Sequence, residues 1–407
     1  MTPTPVLEQF GLDAAQTAVV TDVRNIVNDI VLPNVQRWDA NDEYPIEAVD
    51  ALSAAGLFGL VIGKEWGGQG VDLTTYALAI EEACRGWMSL GGIINTHVIV
   101  AKMLQQFGTP EQQERYLPRM ATGELRAAFS MTEPQGGSDL QAITTTARRE
   151  GAEWSINGEK MWIANGLRAG LMAVLLKTDP EAQPRSRGVS CMLIEKTPME
   201  YSFGGLEIPP LIKKLGYNGI DSARMTIKDH KVPAESILGG TDALGNGFRQ
   251  MLWGVEIGRL NVAMRGVGTA RRALELALTY AGEREAFGQK LREIQAIRFK
   301  LADMATKIEY ARLLTVHAAR IKQLGGRADV ETGMAKLTAT EICQEVVLEA
   351  LRIHAAVGYI AGAEIGRLYR DAPMILIGEG TSEIQKMLIG NGLLGRWDRE
   401  EELKTTG

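Results

Sequence analysis

The chain has 407 residues, with 44 Lys and Arg against 50 Asp and Glu, and a formal net charge of −6. Its 45% apolar and 23% charged residues are the balance of a folded globular protein, which excludes disordered, collagen-like and disulfide-scaffold chains. A mildly acidic total without a Lys/Arg run argues against a nucleic-acid partner, because phosphate recognition needs a concentrated positive surplus.

The length predicts two or three domains or one multi-layer body. Met1-Thr2-Pro3-Thr4-Pro5 offers no basic stretch followed by an apolar core, so no secretory signal is expected. The longest apolar runs, such as 172–176, are too short to cross a bilayer, so membrane insertion is not expected and the cytoplasm is the expected location. Cys84, Cys191 and Cys343 lie far apart with no zinc or redox spacing and read as apolar core residues. His97, His230, His317 and His354 are scattered and read as packing or surface residues, and no metal site is expected.

In chain order, residues 1–126 form a helical domain. Val19, Val20, Val23, Ile26, Val27 and Ile30 keep helical spacing, and Thr109-Pro110 with Gln112 is a helix start with a capping box. Residues 127–238 form a β domain, in which 152–156, 160–163, 188–195 and 223–229 read as strands. Asn157-Gly158 is expected to turn a hairpin between the first two of these. Residues 239–407 are helical again. In 295–324 the positions Ile297, Leu301, Met304, Ile308, Ala311, Leu314, Ala318 and Ile321 predict a long bundle helix of the kind often found at subunit interfaces. The fold class is α+β: an N-terminal helical domain, a central β domain and a C-terminal helical bundle. Gly266-Val267-Gly268 is a poor dinucleotide fingerprint, since the third glycine is missing and its surroundings look helical.

Three segments invite a chemical reading. In 129–139 (FSMTEPQGGSD), Thr132, Glu133, Ser138 and Asp139 surround a turn rich in backbone donors, suited to a polar ring or an anion. The same residues would serve as readily in an interdomain turn. Trp162, at the end of 157–166 (NGEKMWIANG), could stack on a planar ligand or sit in the core. Glu379 lies between two glycines after the apolar run 374–377, where poor hydration would raise its proton affinity and make it a base. The alternative is that Glu379 caps the following helix.

Taken together, 131–134 with 137–139, Asn157-Gly158 with Lys160 and Trp162, 284–288 (REAFG), and 369–371 leading into 379–381 resemble the acyl-CoA dehydrogenase family over essentially the whole chain. The resemblance implies a C-terminal four-helix bundle, FAD as cofactor and a homotetramer. It implies that 129–138, including Phe129, Met131, Thr132 and Ser138, lines the isoalloxazine, with Trp162 stacking nearby. At Ala164 the family usually has a threonine, so only backbone donors would serve there. Arg284 and Phe287 of a neighbouring subunit would meet the pyrophosphate and adenine, supported by Gln295. Arg352, Ala356, Thr381 and Glu383 would complete the flavin site. Ser138, Glu256, Arg259, Arg327 and Gly380 would contact or shape the acyl-CoA pocket.

The reaction implied is α-proton abstraction by Glu379 with β-hydride transfer to the flavin, giving trans-2-enoyl-CoA as in β-oxidation of fatty acids. An electron-transferring flavoprotein would take the electrons. An acyl-CoA oxidase or a flavin monooxygenase of the same fold is the alternative, the latter commonly lacking a base at the Glu379 position. Some relatives carry the base just before the residue matching Arg259. That position is Gly258 here, which cannot act and which would leave room for a bulkier or branched acyl chain. Other departures are Arg352 for a common glutamine, Ala355 and Ala356 for glycines, and Asn391 for an arginine.

Overall fold

The structure is a computed structural model and describes residues 7–406. Six helices come first: α1 (Ala14–Ile26), α2 (Leu32–Ala40), α3 (Ile46–Ala54), α4 (Leu73–Gly86), α5 (Met88–Phe107) and α6 (Pro110–Ala121). The apolar stripe read from the sequence is the inner face of α1 and of the π-turn after it, with Val20, Val23 and Val27 buried. At the start of α6, Thr109 Oγ1 accepts the Gln112 N–H at 3.3 Å, and the Gln112 side chain accepts the Thr109 N–H at 3.2 Å. This is the reciprocal cap that the spacing predicts.

The strands follow as β1 (Ala127–Ser130), β2 (Thr146–Glu150), β3 (Glu153–Ala164), β4 (Leu171–Lys177), β5 (Val189–Glu195), β6 (Ser202–Phe203), β7 (Leu206–Glu207) and β8 (Ser222–Pro233). They form one eight-stranded sheet in the order β1-β4-β2-β3-β8-β7-β6, with β5 also pairing β4. Strand alternation gives β4 two buried faces. Leu171, Ala173 and Leu175 pack towards Leu104 and Leu117 of α5 and α6. Met172, Val174 and Leu176 pack towards Ile156, Met225 and Ile227 on β3 and β8. The sheet is thereby welded to α5, the helix that also supplies one wall of the site described below.

Asn157-Gly158 does not turn a hairpin. β3 runs through it without a break, and the turn lies earlier, at Gly151, where Glu150 pairs with Glu153. A register shift against β8 between Ile156 and Gly158 makes the dipeptide a β-bulge. Asn157 exchanges two 3.0 Å hydrogen bonds with Asp229. A Cβ at Gly158 would lie 2.4 Å from Thr145 Oγ1, so close approach of the neighbouring chain, and not a tight turn, requires the glycine.

The C-terminal part comprises α7 (Gly247–Glu283), a short hairpin of β9 (Glu285–Ala286) and β10 (Gln289–Lys290), then α8 (Gln295–Gln323), α9 (Asp329–His354), α10 (Glu364–Ile377) and α11 (Ser382–Thr406). The long helix read from the sequence is α8, with Met304, Ile308, Ala311 and Ala318 buried. The weak fingerprint glycines lie inside α7. A Cβ would meet Ala339 O at 2.6 Å from Gly266 and Glu81 O at 2.4 Å from Gly268, so they let α9 and α4 approach α7 closely. All three cysteines are free and buried. Among the described residues no helix is long and apolar enough to cross a membrane.

Candidate active site

α10 ends at Ile377, and its last turn closes with the Gly378 N–H on Met374 O. The chain then turns through Glu379 at φ +55° and Gly380 at φ +87° before α11 begins. A left-handed glutamate is uncommon and costs of order 1 kcal/mol or more, so neighbours must hold it. Lys336 of α9 donates to Leu376 O at 3.1 Å and Gly380 O at 2.8 Å. Gln385 Nε2 donates to Glu379 O at 3.2 Å and Gly380 O at 3.1 Å. The cap of α11 is Thr381, whose Oγ1 accepts the Ile384 N–H at 3.3 Å. Glu379 is therefore free of the capping role that its position in sequence allows.

The Glu379 side chain is 24% exposed and reaches between α5 and α7. Its Oε1 accepts a hydrogen bond from Asn95 Nδ2 of α5 and lies 3.6 Å from Arg265 Nη2 of α7. Its Oε2 is buried with no partner, and the Glu379 N–H has no acceptor among the described residues. Burial pushes the carboxyl pKa up and outweighs Arg265, Lys336, Arg259 and the Asn95 hydrogen bond, which pull it down. A Cβ at Gly258 would sit 2.0 Å from Oε2 and 2.8 Å from Ile99 Cδ1. The space at Gly258 that the sequence offered to an acyl branch is occupied by the carboxylate itself.

On α7, Glu256 Oε2 accepts Lys322 Nζ at 2.7 Å and the Ala328 N–H at 3.3 Å, while Arg259 is buried with Nε unpartnered. Arg327 is exposed and paired to Asp329 at 2.6 Å.

The residues of the 129–138 loop gather at the sheet edge. Phe129 and Thr132 are half-buried, Met131 is buried and Ser138 is exposed. Ser130 Oγ is buried without a partner. Glu133 faces inward, away from any ligand role. It accepts Lys160 Nζ at 2.8 Å, the Thr145 N–H at 3.0 Å and the Thr144 N–H at 2.6 Å, while Lys160 also holds Met131 O at 3.1 Å. This buried pair fixes the loop. The Met161 N–H donates to Thr132 O at 2.9 Å, which brings Thr132 beside Trp162. Trp162 adopts φ +60° at a second irregularity of β3 and is 54% exposed, so it is a presented ring and not a core residue. Ala164 ends β3, half-buried.

Arg284 caps α7 just before β9, and Phe287 lies in the β9–β10 turn. Both are exposed, Phe287 at 93% and φ +52°, and Gln295 opens α8 nearby in sequence, also exposed. Arg352 is exposed at the end of α9 with Glu349 at 2.5 Å, followed by Ala355 at φ +51° and the exposed Ala356. Glu383 is exposed in the first turn of α11. Sequence reading missed Asn95, Tyr217, Arg265, Lys336 and Gln385. Charged or amide side chains at inward positions of otherwise apolar helices are the signal that marks Asn95, Arg265 and Lys336.

Family models for acyl-CoA dehydrogenase match three parts of the chain: the N-terminal domain at residues 13–124, the middle domain at 128–230 and the C-terminal domain at 245–394. The chain is 36% identical over 394 residues to (2S)-methylsuccinyl-CoA dehydrogenase of Cereibacter sphaeroides, covering 94% of this chain and 70% of that one. It is 36% identical over 391 residues to the mitochondrial short-chain specific acyl-CoA dehydrogenase of Homo sapiens, covering 96% and 92%. A glutaryl-coenzyme A dehydrogenase in complex with glutaryl-CoA superposes with a TM-score of 0.89 at 34% identity, covering 94% and 96%. A buried carboxylate between α5 and α7, a presented aromatic at the sheet edge and three successive domain matches lead to one conclusion: the chain belongs to the acyl-CoA dehydrogenase family.

Proposed function

We propose that this protein oxidises an acyl-CoA thioester across its Cα–Cβ bond with FAD as cofactor and Glu379 as general base. The residues present suit the flavin. Trp162 offers a ring face beside Thr132, Ser130 Oγ lacks a partner, and Arg284 carries a fork of donors matched to phosphate oxygens. Phe129, Met131, Thr132, Ser138, Trp162 and Ala164 would hold the ring. Arg284, Phe287 and Gln295 of a neighbouring subunit, with Arg352, Ala356, Thr381 and Glu383, would hold the remainder. FAD supplies the acceptor for the β-hydride, so the Cα–H leaves as a proton, the Cβ–H as a hydride, and the product is trans-2-enoyl-CoA.

The chain's own part is to raise a base and aim it. Poor hydration keeps the Glu379 carboxylate basic, Asn95 fixes Oε1, and the unpartnered Oε2 is the atom left to receive the α-proton. The free Glu379 N–H is placed to bond the thioester oxygen as negative charge develops there. Ser138, Glu256, Arg259, Arg327 and Gly380 would position the CoA arm. The observation that carries this reading is the half-buried carboxylate of Glu379, whose Oε2 is buried and unpartnered. We assign the downstream electrons to an electron-transferring flavoprotein, the assembly to a homotetramer, the location to the cytoplasm and the role to fatty-acid β-oxidation. Anaerobic mixing of the yellow holoenzyme with acyl-CoA thioesters tests the reading: bleaching of the flavin band with formation of enoyl-CoA is expected, and a colourless protein or an unchanged spectrum would overturn it.

A further inference from the structure

The donors behind Glu379 are not all used. Its carboxylate faces Arg265, Lys336 and Arg259. Arg265 has no other carboxylate within ion-pairing distance, and its Nη2 stands 3.6 Å from Oε1. Lys336 spends its ammonium on two carbonyls. Arg259 is 4% exposed and has neither a hydrogen bond nor an ion pair among the described residues, its neighbour Glu256 being engaged by Lys322. Buried donors are ordinarily paired, so Arg259 Nε, which has no partner, and Arg265 Nη2, which makes no hydrogen bond, leave room for an acceptor that arrives with a ligand.

Arg265 is also in the wrong place for the base alone. A cation beside a general base lowers its proton affinity and so weakens it. Yet the fold goes to some length to keep this arginine there. Arg265 Nε donates to Asn261 Oδ1 at 2.7 Å and Nη1 to Tyr217 Oη at 2.9 Å, and Asn261 in turn donates to Tyr76 Oη at 2.8 Å. On α5, Gly91 and Gly92 leave the room: a Cβ would meet Arg265 Cγ at 2.9 Å from the first and Tyr217 Oη at 1.6 Å from the second. Tyr217 receives the arginine N–H, and its own hydroxyl hydrogen finds no acceptor among the described residues. Arg265 Nη2 and the Tyr217 hydroxyl are thus donors held in place with capacity to spare.

We propose that Arg265 and Tyr217 bind a carboxylate carried by the acyl chain, which makes the substrate a short dicarboxylic acyl-CoA. The inference rests on the reading of Glu379 as the base. With reacting atoms about 3.5 Å apart and charge-assisted hydrogen bonds of about 2.8 Å, an anion on Arg265 lies only a few carbons from the α-carbon. Its arrival takes the arginine's charge away from Glu379 and restores the basicity that Arg265 suppresses. An uncharged chain would leave Arg265 Nη2 and the Tyr217 hydroxyl hydrogen without a hydrogen-bond acceptor. Arg265 is in this sense a specificity residue whose cation the correct substrate neutralises, and the substrate carboxylate takes part in no bond change.

The test is a comparison on the holoenzyme with an artificial electron acceptor: glutaryl-CoA against pentanoyl-CoA, and methylsuccinyl-CoA against 2-methylbutanoyl-CoA. The carboxylated member of each pair is expected to lead in kcat/KM by at least about 10²-fold, since buried donors reject an analogue that leaves them unpaired. Arg265→Gln should collapse that ratio, and Arg265→Lys should recover part of it. Uncharged thioesters turned over as well as or better than their carboxylated partners by the wild type would overturn the proposal and leave the base assignment standing. If none of the four bleaches the flavin while longer uncharged acyl-CoA thioesters do, the proposal falls and the dehydrogenase reading stands; if no acyl-CoA thioester bleaches it, both fall.

Discussion

Two buried ionic clusters in this molecule are built to opposite plans. Between α1, α4, α7, α8 and α10, carboxylates face guanidinia: Glu81 with Arg271 and Arg312, Glu82 with Arg24 and Arg271, Glu275 with Arg85 and Arg272, and Glu364 with Arg272, at 2.8–3.3 Å, with Glu309 also on Arg312. Around Glu379, Oε2 of Glu379, Oδ1 of Asn95 and Nε of Arg259 are left without hydrogen bonds, and Arg259 makes no ion pair among the described residues. The titration behaviour follows. Burial would raise Glu81, but Arg312 and Arg271 outweigh it and hold its pKa low, whereas burial prevails at Glu379 and raises it. Every charged member of the first cluster is ion-paired within the chain, Arg85 Nε with Glu82 Oε2 included at 3.4 Å, and the cluster ties the helices together. The second is completed only by what binds there.

The largest stability effect should come from breaking the complete cluster. Glu81→Gln leaves Arg271 and Arg312 under-compensated and should cost about 3–5 kcal/mol in denaturant unfolding of the holoenzyme. Glu379→Gln should change stability by less than about 1 kcal/mol, or increase it, because the folded protein already disfavours that charge. Equal losses in the two variants would erase the distinction between the clusters.

The pair under the flavin loop is intermediate. Glu133→Gln should cost about 1–3 kcal/mol, limited because Lys160, which burial lowers to about 8, can shed its charge. The loss should appear together with weaker FAD retention on dilution. In the wild type, burial tends to raise Glu133, but Lys160 and the Thr144 and Thr145 donors hold it at about 2. Its stabilisation is present above the unfolded carboxylate pKa and is lost as pH falls through that value towards 2, which thermal melts across acid pH would register.

Turnover should sharpen the contrast in the opposite direction of pH. Glu379 acts only when ionised and its pKa is raised, so kcat should climb with pH through an apparent pKa above the usual carboxylate value of about 4.3. A rate already flat from below that value would contradict the assignment. The smallest effect is expected at Ala355, which holds φ +51° and ψ −138°, a conformation suited to glycine. Ala355→Gly should gain about 1 kcal/mol in Tm or denaturant measurements.

Much of this was legible in the sequence where the signal is local. The Thr109 cap, the α8 stripe and the glycines around Glu379 depend on spacing alone, and the structure shows each of them. Asn157-Gly158 was misleading because the same two residues serve a turn or a bulge. Thr145, Thr146 and Asp229, remote in sequence, decide between the two. Gly258 was misread for a related reason: a missing side chain marks space without saying what fills it, and here Glu379 does. Arg265 and Lys336 carry only a weak signal, a charge at an inward helical position, because a charged residue on a helix reads as solvent-facing until packing shows its face buried.

Glu379→Gln assayed for turnover is the most direct check on the central claim. The variant's kcat should fall by about 10²–10⁴-fold with the flavin spectrum and acyl-CoA binding retained. A variant that turns over within a few-fold of the wild type would show that the proton leaves to another group.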